Sequence, residues 1–370
     1  MPIHETIQAR KVLEHIQPYS PGKPIWEVQE ELGLDQVIKV ASNENPLGPS
    51  PKALEAILVS LPGINRYPDA NATDLKRQIS VRFNLLPEQI IVTNGADELI
   101  TLVSETFLNS NDEVIVPSPS FSEYDFGAYL MGAKVVNVPL GENYQYNVES
   151  ILSAVTQRTK IVYLCSPNNP TGTYLSKKHL HILLDSLPKH VLVVFDGAYS
   201  HYATADDYTD GLEYIKLGYP IIMLQTFSKI YGLAGVRIGF GLAPEAIVQN
   251  ILKVKEPFNV NTLAQAAATA AINDDNHVKA SQQANTLGRL QLYEGFSKLG
   301  LSYTESMSNF VLVKVGPNAK DVYEELLAKG IIVRYGDTWG LEEYIRISVG
   351  KTEENNVLIE VMTSILQEAY

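Results

Sequence analysis

Seven short runs in the first two-thirds of the chain are apolar, rich in β-branched residues and almost free of alternation. They read IIVT at 90–93, EVIVP at 113–117, KVVNV at 134–138, KIVYLC at 160–165, VLVVFD at 191–196, PIIMLQ at 220–225 and RIGFGLA at 237–243. A strand that is apolar on both sides has no solvent face, so other elements must cover its sheet above and below. ADELITLVSETFL after the first run and SKKHLHILLDSL after the fourth place apolar residues at helical spacing. The expected fold is α/β, with a mostly parallel central sheet and helices on both faces.

Beyond residue 257 the pattern changes. TLAQAAATAAI and SQQANTLGRLQLYEGFSKLG read as helices. NFVLVKV, the helix AKDVYEELLAKG, IIVRY, YIRISVG and the terminal helix ENNVLIEVMTSILQEA follow. That order predicts a small α+β domain. The expected division is a large domain over 41–270 and a discontinuous small domain, 1–40 with 271–370, carrying an N-terminal arm. A chain of 370 residues is long enough for two such cores.

Lys+Arg 29 against Asp+Glu 42 gives a net charge of −13, which repels phosphate backbones, so nucleic acid is not an expected partner. An anionic small molecule would have to be held locally, by a few placed cations and backbone amides. The single cysteine, Cys165, excludes a disulfide framework and a cysteine-built zinc site, and it suits a reducing compartment. The N-terminus lacks the apolar segment of a signal peptide, and no apolar run approaches the ~20 residues of a membrane helix. A soluble, cytoplasmic protein without a metal is expected.

The ends of the strand runs are where polar residues gather. NGADE follows IIVT, SPSFSEY follows EVIVP, SPNNPTG follows KIVYLC, DGAY follows VLVVF, and TFSK follows PIIMLQ. In an open α/β sheet, ligands bind outside the carboxyl ends of the strands, so five such ends define one candidate site. Gly95 and Ala96 open a helix whose free amides favour an anion, or are simply its capped start. Thr226, Ser228 and Arg237 add two hydroxyls and a guanidinium, and together with that helix start they make a phosphate cup. No Walker loop is present, so triphosphate chemistry is disfavoured.

Asp196 ends an apolar strand and needs a cationic partner to stay ionised, either a structural ion pair or a protonated ring nitrogen. Tyr199 and Asn169 are placed to hydrogen-bond a phenolate oxygen. Phe121, with Tyr124 behind it, offers a stacking face or packs the core. Lys229 would by itself read as a surface charge. In this company it reads as an amine that forms a Schiff base with pyridoxal 5'-phosphate, the molecule carrying a ring nitrogen, a phenolic oxygen and a phosphate arm.

The same residues carry a family resemblance that runs nearly end to end. PYSPGKPI at 18–25, ASNENPLGPSP at 41–51, RYPD at 66–69, NGADELI, CSPNNPTG, TFSKIYGLAGVRIG, PFNVN and IRISVG occur in order. This resembles the histidinol-phosphate aminotransferases, fold-type I pyridoxal-phosphate enzymes. NNPTG alone is shared by many aminotransferases, whereas SNENPLGPSP with RYPD and FSKxYGLAGxR is far more specific. The resemblance implies that Lys229 is the Schiff-base lysine, Asp196 holds the pyridinium proton, and Tyr199 and Asn169 meet the phenolic oxygen. It adds backbone amides of Ala96 and Asp97 to the phosphate cup, and a contact from Tyr67 of a neighbouring subunit, hence a homodimer with shared sites. Asn43 and Arg346 are implied to bind substrate, with Arg346 taking a carboxylate or other anion. Arg334 and Tyr19 match positions that favour the substrate phosphate, though a surface ion pair and a packed tyrosine remain open for these two.

The implied reaction is ping-pong exchange of an amino group between histidinol phosphate and 2-oxoglutarate, giving imidazole acetol phosphate and glutamate, in histidine biosynthesis. Competing readings are an aromatic or dual-specificity aminotransferase, an amino-acid-phosphate decarboxylase, a cofactor-binding regulator and a silent scaffold. Three positions depart from the family pattern. Gly197 stands where a glutamate is frequent, Gln225 where an arginine is frequent, and Phe258 where some members carry a tyrosine.

Overall fold

The computed structural model describes residues 8–16 and 22–368; Tyr19 lies outside the described residues. After a short strand β1 (Ile38–Lys39), the seven apolar runs form β2 (Ile90–Thr93), β3 (Glu113–Ser118), β4 (Lys134–Pro139), β5 (Thr159–Cys165), β6 (Leu192–Asp196), β7 (Ile221–Thr226) and β8 (Gly239–Leu242). They build one sheet in the order β2-β8-β7-β6-β5-β3-β4. Every residue of β2, β6, β7 and β8 is buried, as unalternating strands require. Two hydrophobic layers cover the sheet, one around Phe195, Phe227 and Phe240, the other around Leu99, Tyr124, Tyr163 and Ile222.

Only β8 runs against its neighbours, antiparallel to both β2 and β7. The cause lies in the connection. A parallel return needs a dozen or more residues, usually a full helix. Here residues 227–238 contain only the 3-10 turn Ala234–Val236. Without a crossover helix, this twelve-residue link brings the chain back beside the strand end it left.

A second sheet follows, ordered β12-β13-β10-β9 from β9 (Ser302–Tyr303), β10 (Phe310–Lys314), β12 (Arg334–Tyr335) and β13 (Tyr344–Ser348). Its own core includes Leu292, Phe296, Val311, Ile345, Leu358 and Met362. The alanine-rich helix Thr262–Ala271 instead buries Ala264, Ala267, Ala268 and Ala271 in a layer of the large sheet. β1 pairs in parallel with β11 (Ile331–Ile332), and Val28 packs against Ala41 and Ile332, so this part of the N-terminal segment joins the small body. Within residues 8–16, Arg10 Nη2 donates to the Leu130 carbonyl at 2.8 Å, at the end of the Glu123–Leu130 helix.

Candidate active site

The parallel register sets Cys165 opposite Asp196 and Asp196 opposite Leu224, so the ends of β5, β6 and β7 lie side by side. A cavity of about 970 Å³ opens there, and Ala96, Asp97, Phe121, Asn169, Asp196, Tyr199, Thr226, Ser228, Lys229 and Arg237 all line it. Asn43, Arg334 and Arg346 complete the wall.

Lys229 lies inside, its Nζ donating to the Ser42 carbonyl at 3.1 Å and standing 5.9 Å from the centre of the Tyr199 ring. Burial, joined by the positive charge of Arg346, lowers its pKa to about 8. An amine that sheds its proton near neutrality is a usable nucleophile and base.

Asp196 is 4% exposed and makes no salt bridge among the described residues. Its Oδ2 accepts from the Tyr124 hydroxyl at 2.7 Å and its Oδ1 from the Ala198 N–H at 2.9 Å. Burial raises its pKa, and the Tyr124 bond works the other way. Tyr124 itself is fully buried and stacked on Tyr163 at 4.6 Å. Phe121 meets it edge-on at 5.7 Å. Tyr124 thus buttresses the carboxylate as well as packing the core, which nothing in its spacing could announce.

At the anion cup, Gly95 has φ +84°, and a Cβ there would lie 2.7 Å from Arg237 Nη2. Arg237 adopts a left-handed conformation itself, at φ 57°, and Nη2 bonds Asp97 Oδ2 at 3.2 Å. Strain of this kind persists where the surroundings over-determine it. Gly239 of β8 is pressed against the same helix start: a Cβ would come within 2.7 Å of the Ala96 nitrogen. The Ser228 N–H donates to Thr226 Oγ1 at 3.0 Å, which curls the segment leading to Lys229.

Arg346 is 6% exposed and sandwiched between Phe310 and Trp339, at 5.2 and 5.1 Å from their ring centres. It donates to Asn169 Oδ1 and to the Ala41 carbonyl, so it ties the two bodies together. Arg334 on β12 sits directly opposite Arg346 on β13. Like charges at facing strand positions repel, an arrangement suited to a shared anionic ligand. Trp339 escaped the sequence reading, because only the tertiary fold brings it to Arg346.

Asn43 has its side chain engaged within the protein: Nδ2 donates to the Tyr199 hydroxyl at 3.0 Å, and Oδ1 accepts from Ser348 at 2.8 Å. It therefore orients Tyr199. Tyr67 is 83% exposed, stacks on Phe258 at 4.8 Å and does not line this chain's cavity.

Gly197 and Gln225, two separate departures in the sequence, form one packed unit. A Cβ at Gly197 would lie 2.8 Å from Gln225 Nε2 and 3.2 Å from the Leu224 carbonyl oxygen. Gln225 Nε2 donates to Ser200 Oγ at 2.8 Å beneath the turn that carries Asp196 and Tyr199. We expect Gly197→Ala to destabilise the protein by about 1–3 kcal/mol in urea unfolding. With Gln225→Ala added, the combined cost should fall short of the sum by at least about 0.5 kcal/mol. Strict additivity would contradict the coupling.

These groups fit pyridoxal phosphate: a buried carboxylate without an ion-pair partner, an amine of lowered basicity, and a glycine-lined helix start beside an arginine. The family model for aminotransferases of class I and II matches residues 35–362. The chain belongs to that family. A histidinol-phosphate aminotransferase of Moorella thermoacetica is 43% identical over 366 residues, spanning 99% of this chain and 95% of that protein. One of Caldicellulosiruptor saccharolyticus is 42% identical, spanning 96% and 99%. Within the class I and II family, the chain falls among the histidinol-phosphate aminotransferases. The solved Sinorhizobium meliloti histidinol-phosphate aminotransferase, a complex with pyridoxal-5'-phosphate, superposes with a TM-score of 0.91 at 25% identity, covering 98% of each chain. Among the described residues, no helix is long and apolar enough to cross a membrane.

Proposed function

We propose that this enzyme moves an amino group from histidinol phosphate to 2-oxoglutarate, forming imidazole acetol phosphate and glutamate, in a ping-pong cycle within histidine biosynthesis. The facing arginines Arg334 and Arg346 on the cavity wall support this reading most directly, because both substrates bring anions to the same amine. Planar guanidinium groups suit a phosphate monoester and a carboxylate alike.

Bound pyridoxal phosphate supplies an aldehyde that takes up the amino group and a ring that accommodates the electron pair left at the substrate's α-carbon. The chain does the rest. Lys229 holds the cofactor and, when released, carries a proton on Nζ. Asp196, kept in place by Tyr124, supplies the negative charge that retains a proton on a ring nitrogen. Tyr199, oriented by Asn43, and Asn169 serve the phenolic oxygen. Gly95, Ala96 and Asp97 amides, Thr226, Ser228 and Arg237 take the cofactor phosphate, and Phe121 its ring face. Tyr19 is assigned to the substrate phosphate from the sequence alone.

The proposal includes a cytoplasmic homodimer with shared sites, in which the exposed Tyr67 serves the neighbouring cavity. It also includes the domain division 41–270 against 1–40 with 271–370, supported by the separate core around Phe296 and Met362.

The test is a spectral half-reaction of the holoenzyme with histidinol phosphate, phenylalanine and glutamate in turn. Histidinol phosphate and glutamate should each discharge the lysine-bound cofactor band, and phenylalanine should do so with a far smaller kcat/KM. A preference for phenylalanine would install the aromatic aminotransferase reading instead.

A further inference from the structure

Asn168 is buried, and every polar group it carries is used. Its N–H donates to the Thr173 carbonyl at 2.7 Å, and its carbonyl accepts from the Gly172 N–H at 2.7 Å. The side chain bridges two strand ends. Oδ1 accepts from Ser120 Oγ at 2.8 Å, while Nδ2 donates to the Pro119 carbonyl at 3.0 Å and to Thr171 Oγ1 at 2.8 Å. Pro119 and Ser120 follow β3, and Asn168 and Thr171 follow β5.

A count of protons fixes the direction of these bonds. Thr173 Oγ1 spends its one proton on the Tyr144 carbonyl at 2.8 Å, so Thr171 is the donor across the 2.8 Å contact between the two threonines. With its own proton spent, Thr171 Oγ1 accepts from Asn168, so Nδ2 faces it and Oδ1 is left for Ser120. A fully satisfied buried network of this kind holds its members in one arrangement. Its far end is strained: Asn143 and Tyr144 have φ 52° and 58°, a backbone conformation that persists where the surroundings over-determine it.

The clamp stands one residue ahead of two side chains assigned to the cofactor. Phe121 follows Ser120, and Asn169 follows Asn168. Asn169 Oδ1 accepts from Arg346, so Nδ2 is the group left to donate to a phenolic oxygen. Among the described residues, neither Ser120 nor Asn168 lines the cavity, so each acts through the residue that follows it. We infer that Ser120 and Asn168 are positioning residues, whose hydrogen bond sets the spacing between the Phe121 ring and the Asn169 amide before the cofactor arrives. This rests on the roles proposed above for Phe121 and Asn169. A site assembled in advance does not spend binding energy on ordering its two contacts.

The experiment titrates cofactor-free protein with pyridoxal phosphate and reads the pH midpoint of the lysine-bound cofactor band on the holoenzyme. Ser120→Ala should raise the cofactor Kd by about 3- to 10-fold, and Asn168→Ala, which also releases Pro119 and Thr171, by about 10- to 100-fold. Ser120→Thr keeps the hydroxyl and should stay within about twofold of the wild type. Adding Ser120→Ala to Asn168→Ala should weaken binding no further, because the bond between them is already lost. In Ser120→Ala and Asn168→Ala the midpoint should move in the direction that Asn169→Ala moves it. Variants that lower Tm but keep the wild-type Kd and midpoint overturn the inference, and Ser120→Ala decides the matter if Asn168→Ala fails to fold. Phe121→Ala and Asn169→Ala separate this inference from the reading beneath it. If both bind the cofactor as the wild type does, the assigned site falls and the inference with it. If they bind weakly while the Ser120 and Asn168 variants do not, the inference alone falls.

Discussion

Lys229→Ala should lower kcat/KM for amino-group transfer by about 10⁴-fold while leaving the fold and the phosphate cup in place. On the proposed roles the variant would lose both the covalent anchor and the group that carries the proton, and among the described residues no other lysine lines the cavity. A small primary amine added to the solution should restore part of the rate, because the missing part is an amine. Retention of turnover without such rescue would remove Lys229 from the chemistry. The lowered pKa gives a second readout on cofactor-free protein. A group with pKa about 8 is half neutral at pH 8, where an ordinary lysine is less than about 1% neutral. Labelling of Lys229 by an amine reagent should therefore rise with pH and reach half its limit near pH 8. A half-rise above pH 10 would mean that burial does not tune this amine.

Gly232→Ala should be the most destabilising single-methyl change near the site. Gly232 has φ +68°, and a Cβ there would lie 2.1 Å from the Gly48 carbonyl oxygen and 2.6 Å from its carbon. Both atoms are backbone, so no rotamer change can relieve the clash. Overpacking and left-handed strain together predict a loss of about 3 kcal/mol or more, and a Tm lower by about 5 °C or more. Gly300→Ala is the matched control. Its φ is +70° with nothing within 4 Å, so it should cost only the left-handed penalty of about 1–2 kcal/mol. Equal losses at the two positions would mean that the packing of 48 against 232 contributes little.

The parts of this protein that could be read from sequence are those encoded by local pattern. The seven strands follow from continuous apolar runs, and the site from polar residues at the ends of those runs. Lys229, Asp196 and Arg237 stood out because charge is costly beside such strands. The reversed direction of β8 was hidden, since direction depends on whether the connection forms a crossover helix. Tyr124 looked like any core aromatic until the fold placed its hydroxyl on Asp196. Asn43 stood in a motif that suggested ligand contact, and only the fold shows that its amide also bonds Tyr199 and Ser348. Gly197 and Gln225 are 28 positions apart, and only strand pairing makes them neighbours.

The antiparallel return of β8 has a consequence for turnover. Lys229 and Arg237 lie on one short link whose two ends are fixed in adjacent strands. On the roles proposed for these two residues, the cofactor would be moored at two points, one covalent and one ionic. Arg237 would then hold the cofactor within reach while Lys229 is released, at an effective concentration far above that of the solution. A link long enough to hold a crossover helix would have given the two moorings independent motion, and each turnover would have risked losing the cofactor.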